Sequence, residues 1–231
     1  MIKSKYLLAF NVTVVLGWSY ILFTCLRARY SGGTLWQVWK EVERPLKLTQ
    51  TAALLEVLHS VFGVVRAPIM TTGMQVASRV WVVWGIMVAA PAQIASRSLT
   101  VLPLGAYSMQ LNLMSLLLAW SVTEIIRYSF FAFKELGMTP YPLLWLRYST
   151  FIFLYPLGVA SEMAMVWLAL PHIRLSHLWS IDLPNAVNFA FDYFLFCLLA
   201  VVIYIPGFPL LYLHMLRQRQ KVLGQPKSKT A

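Results

Sequence analysis

A tyrosine and a glutamate lie seven residues apart inside a long apolar segment, RYSTFIFLYPLGVASEMAMVWLALP, which covers residues 147–171. On a regular helix, Tyr155 and Glu162 project from one face, roughly 10 Å apart along the axis. They are too far apart to hydrogen-bond each other, but the carbon skeleton of a bound molecule would fit between them. Because a phenol and a carboxyl group can each give or take a proton, the pair is a candidate site of proton transfer.

The residues between this pair favour an opening in the helix packing. Pro156 cannot donate a backbone hydrogen bond and tends to kink a helix, and Gly158 has no side chain to fill the space beside it. The spacing also allows a purely structural interpretation. In that interpretation, Tyr155 hydrogen-bonds a neighbouring helix and Glu162 pairs with an arginine elsewhere in the chain.

Composition indicates that this segment belongs to a membrane protein. Of the 231 residues, 59% are hydrophobic and 12% are charged, and the mean hydropathy is +0.68. A water-soluble domain of this length could not bury so much apolar surface, so part of that surface must face lipid. The net charge of +11 comes mostly from bases that flank apolar runs, which favours lipid contact over nucleic-acid binding. Cys25 and Cys197 both lie within apolar runs, so neither a disulfide framework nor a four-ligand zinc site is available. We expect a protein without a metal or redox cofactor.

Apolar runs of the length needed to cross a bilayer, about 20 residues, occur six times. They predict an all-α integral membrane protein, a single membrane domain folded as a six-transmembrane-helix bundle. The predicted spans lie near residues 6–26, 50–70, 74–94, 101–123, 143–169 and 186–213. The second and third are the weakest, because Glu56, His59 and Arg66 interrupt one and Arg79 and Pro91 interrupt the other.

The distribution of basic residues indicates on which side the chain begins and ends. Lys3 and Lys5 precede the first span, and residues 214–231 form a basic tail after the last one. Cytosolic segments are enriched in Lys and Arg, so we expect both termini in the cytosol. The loop after the first span is also basic and opposes this orientation, whereas an even number of spans supports a shared side for the termini.

Other ionisable residues lie within the predicted spans, where they are unfavourable unless paired. Glu124 and Arg127 are three residues apart on one helix face, which favours a structural ion pair. Glu56 and His59 have the same spacing, and either helix packing or a cavity lining would suit them. Asp192 needs a partner that the sequence does not identify.

His59, Ser60 and Arg66 have the spacing of a tyrosine-phosphatase loop, in which a cysteine thiolate attacks phosphate. Here the nucleophile position holds Ser60, whose hydroxyl lacks the nucleophilicity of a thiolate. No helper base follows in a recognisable place, and the segment lies at membrane depth. We therefore do not expect phosphatase activity.

Four segments follow one another along the chain: LEVLHSVFGVVRAP, QVASRVWVVWGI, AWSVTEIIRYSFF and RYSTFIFLYPLGVASE. In this order they resemble the motifs of the very-long-chain (3R)-3-hydroxyacyl-CoA dehydratases, also called protein-tyrosine-phosphatase-like proteins. The similarity extends from about residue 6 to the tail, so it covers nearly the whole chain. In this family the motif Y-P-x-G-x-x-x-E supplies two catalytic residues, and both positions match here, as Tyr155 and Glu162.

The resemblance implies removal of water from a very-long-chain (3R)-3-hydroxyacyl-CoA to give the trans-2-enoyl-CoA, the third step of fatty-acid elongation. This elimination needs a base for the hydrogen beside the thioester carbonyl and an acid for the departing hydroxyl. We assign Glu162 as the base and Tyr155 as the donor to the leaving oxygen, and the reverse assignment stays open. The family also implies a place in the endoplasmic-reticulum membrane beside a condensing enzyme, a ketoacyl reductase and an enoyl reductase.

Basic residues near the span ends are candidates for contact with the polyanionic coenzyme of the substrate. Lys134, Arg147 and Arg66 would serve either as phosphate partners or as lipid anchors. Lys227 and Lys229 match a dilysine signal for retrieval to the endoplasmic reticulum, which is read on a cytosolic tail.

Two other classes of function are consistent with the composition. One is a catalytically inactive scaffold of the elongation complex, although such a protein need not keep both Tyr155 and Glu162. The other is a small transporter whose buried acids relay protons, but the sequence has no inverted repeat.

Overall fold

The computed structural model describes residues 2–66, 68–104, 107–186 and 188–224, and the chain within these ranges is mostly helical. The helices in order are α1 (Ile2–Tyr30), α2 (Leu35–Ala52), α3 (Leu54–Val61), α4 (Ile69–Trp81), α5 (Pro91–Ser96), α6 (Leu113–Glu135), α7 (Tyr141–Ser149), α8 (Phe151–Ser176) and α9 (Tyr193–Leu223). A π-helical segment, Val82–Met87, continues α4. Two strands, β1 (Leu99–Leu104) and β2 (Tyr107–Leu111), form an antiparallel hairpin.

Four helices in the described ranges, α1, α6, α8 and α9, are long and apolar enough to cross a membrane. The chain is therefore a multi-pass membrane protein. Large apolar side chains cover the outer side of α9, where Leu195, Leu199, Ile205 and Leu210 are each more than half exposed. Such a surface is unfavourable in water, whereas lipid tails solvate it.

The prediction of a span over residues 101–123 is wrong in its first part. Residues 99–104 and 107–111 form the paired strands β1 and β2, and α6 begins only at Leu113. Asn112 separates the two structures, because its side chain accepts hydrogen bonds from backbone N–H groups in the first turn of α6. Hydropathy does not distinguish an apolar strand from an apolar helix, so the all-α prediction must be corrected to a mostly helical fold.

The bundle is built around α1 and α6, which pack along each other in opposite directions. Trp18 of α1 meets Trp120 of α6 edge to face, with 6.4 Å between ring centroids. Ser4, in the first turn of α1, donates hydrogen bonds to Glu135 at the end of α6. The buried residues of α1 recur every three or four positions, as one face of a helix requires. They are Leu7, Asn11, Val14, Trp18, Ile21, Thr24, Cys25 and Ala28.

The chain returns along α1 through α2 and α3, where the sequence predicted a basic loop and then a span over residues 50–70. Three contacts mark this antiparallel path: Arg27 with Glu41, Gly17 with Thr49, and Tyr6 with His59. The predicted span is not one helix, because α3 ends at Val61 and a non-helical segment follows. The many charges of α2 concealed this helix in a search for apolar runs, although Thr34 and Gln37 form a capping box at its start.

The chain then runs back through α4 and the π-helical segment. Three contacts mark this second return: Arg79 with Glu124, Trp84 with Thr51, and Tyr193 with Gly85. The predicted span over residues 74–94 is therefore displaced, since the continuous helical stretch covers 69–87. Pro91 begins a separate short helix, α5, as a residue without an N–H can do at a first helical position.

The predicted span over residues 143–169 is divided between α7 and α8, which meet at Thr150. Helix α8 continues through Pro156, which has no N–H to offer the carbonyl group of Ile152. Tyr212 of α9 donates its hydroxyl to that carbonyl oxygen at 3.4 Å. A side chain from the neighbouring helix thus replaces the backbone donor, as a lipid-embedded helix requires.

Helix α9 packs against its neighbours along one face only. Asp192 caps its start by accepting hydrogen bonds from the backbone N–H groups of Phe194 and Leu195, which supplies the partner that the sequence left unidentified. The helix extends to Leu223, past the predicted limit at residue 213. The first ten residues of the predicted basic tail are thus helical, whereas Lys227 and Lys229 lie outside the described residues.

Both ends of the described chain lie at the same end of the bundle, called here the near end. The start of α1 lies beside the end of α6, and α7 follows α6 after a short connection. Arg219, near the end of α9, donates a hydrogen bond to Ser149 at the end of α7 at 3.4 Å. The opposite end, called here the far end, contains the hairpin and the start of α9.

Candidate active site

Glu162 lies where α8 meets both α6 and α9, and it is only 6% exposed. The indole N–H of Trp120 donates to its Oε1 atom, and the hydroxyl of Tyr204 donates to its Oε2 atom, each at 2.9 Å. Both carboxylate oxygens therefore have a hydrogen-bond donor, one from each neighbouring helix. These donors offset part of the unfavourable free energy of burying a carboxylate among apolar side chains.

Tyr155 lies about two turns nearer the near end, with its ring half-buried against α9. The ring stacks on Phe208, with 5.3 Å between centroids and 5° between planes, and it lies 6.3 Å from the ring of Tyr212. Its hydroxyl makes no hydrogen bond to the residues that the structure describes. Tyr155 and Glu162 thus both contact α9, as their seven-residue spacing predicts for one helix face.

Gly158, which the sequence placed beside an opening between these two side chains, packs against α6 in the structure. A Cβ atom at Gly158 would lie 3.9 Å from Ala119 and Trp120 of α6, which is ordinary packing distance. The glycine therefore permits close approach of α8 and α6. Two surface depressions in the described part of the chain lie beside α7, at about 510 Å³, and at the far end of α8, at about 470 Å³. Neither is lined by Tyr155 or Glu162.

A network of charged residues joins three helices beside Glu162. Glu124 binds Arg79 of α4 and approaches Arg127 to 2.6 Å, which confirms the predicted Glu124–Arg127 pair. Arg127 also makes two hydrogen bonds of 2.9 Å to Glu56 of α3. The guanidinium of Arg79 lies 5.4 Å from the ring centroid of Trp120, so the network borders the indole that holds Glu162.

Glu56 and His59 both serve helix packing, but through separate partners. Glu56 binds α6, whereas His59 hydrogen-bonds Tyr6 of α1 at 2.9 Å. Ser60 donates its hydroxyl to the backbone carbonyl of Glu56, and Arg66 is exposed beyond the end of α3. These contacts differ from those of a phosphatase loop, in which the arginine and the nucleophile would face one phosphate.

Comparison with known proteins agrees with the four sequence motifs. The model of the family described as "Protein tyrosine phosphatase-like protein, PTPLA" matches residues 50–225. The chain belongs to this family. No solved structure matches the chain of this PTPLA protein at a significant level.

Two relatives of this PTPLA protein match almost all of its chain. It is 42% identical to the very-long-chain (3R)-3-hydroxyacyl-CoA dehydratase PASTICCINO 2 of Arabidopsis thaliana, over 98% of this chain and 96% of that protein. It is 40% identical to the very-long-chain (3R)-3-hydroxyacyl-CoA dehydratase 2 of Homo sapiens, over 96% of this chain and 82% of that protein.

Three side chains around Glu162 in this PTPLA protein were not identified from its sequence. Trp120 and Tyr204 look like ordinary aromatic residues of apolar spans, and Arg79 looks like an interruption of one. Each comes from a different helix, at no fixed sequence distance from Glu162. Of the three, only Arg79 could have been identified from the sequence, because a cation within a membrane span needs an acidic or polar partner.

Proposed function

We propose that this PTPLA protein is a very-long-chain (3R)-3-hydroxyacyl-CoA dehydratase, which removes water to give the trans-2-enoyl-CoA in fatty-acid elongation. The two relatives above have that activity in their names, and each matches nearly the whole of this chain. The motif Y-P-x-G-x-x-x-E is complete at residues 155–162.

In the proposed reaction, Glu162 takes a proton from C2 of the substrate, beside the thioester carbonyl. The electrons of the C2–H bond form the double bond between C2 and C3. The hydroxyl group on C3 then departs as water with a proton from the Tyr155 hydroxyl. The reverse assignment uses the same two groups, with Tyr155 as the base and Glu162 as the acid.

The observation that carries this proposal is the contrast between the two side chains. Glu162 is held in place by hydrogen bonds to both of its oxygens, so its orientation is fixed. Tyr155 has no such bond among the described residues, so its hydroxyl is free to act on a substrate. Tyr155 is also partly exposed where α8 meets α9, and we propose that these helices separate there to admit the acyl chain.

The test is an assay of purified protein in detergent with a long-chain 3-hydroxyacyl-CoA, in which wild type should form the enoyl product. Glu162→Gln keeps the shape of the side chain but removes the base, and Tyr155→Phe keeps the ring but removes the proton. We expect each to lower kcat at least about 100-fold. Tyr20→Phe, on the exposed side of α1, is the control and should turn over like wild type.

Full activity in Glu162→Gln or Tyr155→Phe would refute the role of that residue. Absence of product from the wild-type protein would refute the dehydratase proposal, and would favour the inactive scaffold or the proton-relaying transporter.

The near end is the proposed binding place of the coenzyme phosphates. Lys134 and Arg66 are exposed there, at the end of α6 and beyond the end of α3. Arg147 of α7 lies over the rings of Phe130 and Phe131, at 4.6 and 4.4 Å from their centroids. One of its buried guanidinium nitrogens has no hydrogen-bond partner among the described residues. This cation, two turns before Tyr155, is suited to a phosphate of the coenzyme.

We propose six membrane crossings, with the second in residues 35–61 and the third in residues 69–87. The antiparallel contacts of α2, α3 and α4 with α1 and α6 support this count. The basic residues favour a cytosolic near end. Family membership supports a place in the endoplasmic-reticulum membrane with a condensing enzyme, a ketoacyl reductase and an enoyl reductase as partners.

A further inference from the structure

Tyr204 is a hydroxyl-bearing side chain on a helix that is otherwise mostly apolar, in the run VVIYIPGFP. Its neighbours Ile203 and Ile205 are 60% and 69% exposed and face outward. Tyr204 instead points into the bundle and is partly buried, because it lies on the face of α9 that meets α8. Its hydroxyl donates to Oε2 of Glu162 at 2.9 Å.

Helix packing alone does not require this hydroxyl. A phenylalanine would fill the same space, as Phe208 does one turn later, where it stacks on Tyr155. The hydroxyl is needed only for its hydrogen bonds. One partner is Ser78 of α4, and the other is the carboxyl group that we assign to proton transfer. Trp120 holds the other carboxylate oxygen, so the two donors together fix both the position and the rotation of the carboxylate.

We propose that Tyr204 is a positioning residue for the reaction: its hydroxyl aligns the Glu162 carboxylate and favours its charged form. This inference rests on the proposed role of Glu162. It also makes α9 part of the active site, since a movement of α9 away from α8 would break the bond. Both carboxylate oxygens are then hydrogen-bonded only when α9 packs against α8. Closure of the proposed entrance therefore also orients the base.

The test compares Tyr204→Phe with wild type in the dehydratase assay. Because Tyr204→Phe loses a hydrogen bond to a charged group, we expect its kcat to fall about 10- to 100-fold. We expect little change in KM. Tyr193→Phe is the matched control. Tyr193 also lies on α9 and donates its buried hydroxyl to another segment, at Gly85, but it does not touch Glu162. It should keep the wild-type kcat, even if its thermal stability falls.

The dependence of rate on pH separates positioning from mere packing. The groups facing the Glu162 carboxylate are Trp120 of α6, Tyr204 of α9, the nearby guanidinium of Arg79 of α4, and Tyr155 of α8 itself. Without Tyr204 the charged form loses a donor, so protonation of Glu162 becomes easier. If Glu162 is the base, the fall in kcat at low pH should begin at a higher pH in Tyr204→Phe. If Glu162 is the acid, the fall at high pH should move upward instead.

Infrared spectroscopy gives a second measurement that does not depend on turnover. The carboxyl band that disappears in Glu162→Gln should shift in Tyr204→Phe and stay unchanged in Tyr193→Phe. Wild-type kcat, pH profile and carboxyl band in Tyr204→Phe, alongside an inactive Glu162→Gln, would overturn the inference alone. A fully active Glu162→Gln would instead overturn the proposed role of Glu162.

Discussion

At the scale of single residues, two buried glutamates illustrate two ways of holding a carboxyl group inside a bundle. Glu124 binds two arginines, Arg79 and Arg127, and such pairing locks a carboxylate in its charged form. Glu162 is held by two neutral donors, Trp120 and Tyr204. Neutral donors orient a carboxylate but leave it able to accept a proton. Glu124 is therefore suited to structure, and Glu162 to proton transfer.

Trp120→Phe should separate the two roles of this indole, which packs in the core and also holds Glu162. We expect kcat to fall at least about 10-fold, because Oε1 of Glu162 loses its donor. Trp18→Phe is the control, since it removes the same atoms from the neighbouring buried ring without contacting Glu162. The measurement is steady-state kcat beside thermal unfolding of each variant. Equal kcat in both variants would show that the indole N–H has no role in the reaction.

At the scale of helices, the charged network explains how polar groups connect α3, α4 and α6. Glu124 is the centre of this network, since it is 2% exposed and forms ion pairs with both Arg79 and Arg127. Glu56 lies at one end and shares Arg127 with Glu124. Removal of Glu124 leaves Arg79 without its carboxylate partner and Arg127 with Glu56 alone, whereas removal of Glu56 leaves both arginines paired with Glu124.

Glu124→Gln should therefore destabilise the protein more than Glu56→Gln. Breaking a buried ion pair by removal of one member costs about 3–5 kcal/mol, and we expect a loss of this size for Glu124→Gln and a smaller one for Glu56→Gln. The measurement is unfolding of each variant in detergent. The opposite order would show that the Glu56–Arg127 contact, and not Glu124, holds the three helices together.

At the scale of the whole molecule, the antiparallel contacts determine which loops share a side of the membrane. His59 of α3 lies beside Tyr6 in the second turn of α1, so the segment after α3 is at the near end with the two ends of the described chain. Tyr30, the last residue of α1, is at the far end. A protein with only four crossings would instead keep the whole region between α1 and α6 on one side.

Labelling of single cysteines tests this arrangement. Phe62→Cys and Tyr30→Cys place thiols at positions that are 75% and 97% exposed, whereas the native Cys25 and Cys197 are buried. In sealed microsomes a membrane-impermeant thiol reagent should label Phe62→Cys from the cytosolic side, and Tyr30→Cys only after permeabilisation. The unsubstituted protein gives the background. Labelling of both positions from the same side would rule out the second crossing.

The sequence alone determined the class of protein, the family motifs and the candidate pair. Apolar content fixes a membrane protein because water cannot solvate that much apolar surface, and the seven-residue spacing places Tyr155 and Glu162 on one face wherever the helix lies. Hydropathy along the sequence failed where it does not distinguish two kinds of structure, such as a strand from a helix or a charged helix from a loop. The apolar hairpin before Asn112 was predicted as part of a span, and the charged helix α2 was predicted as a loop.

Only the tertiary structure decided what surrounds the pair. The donors to Glu162 come from α6 and α9, and no rule of spacing connects residues on separate helices. Packing also decided the role of Gly158, since a missing side chain can either leave an opening or let two helices approach. The sequence specifies which chemical groups are present, whereas the angles and distances between helices decide which of them meet.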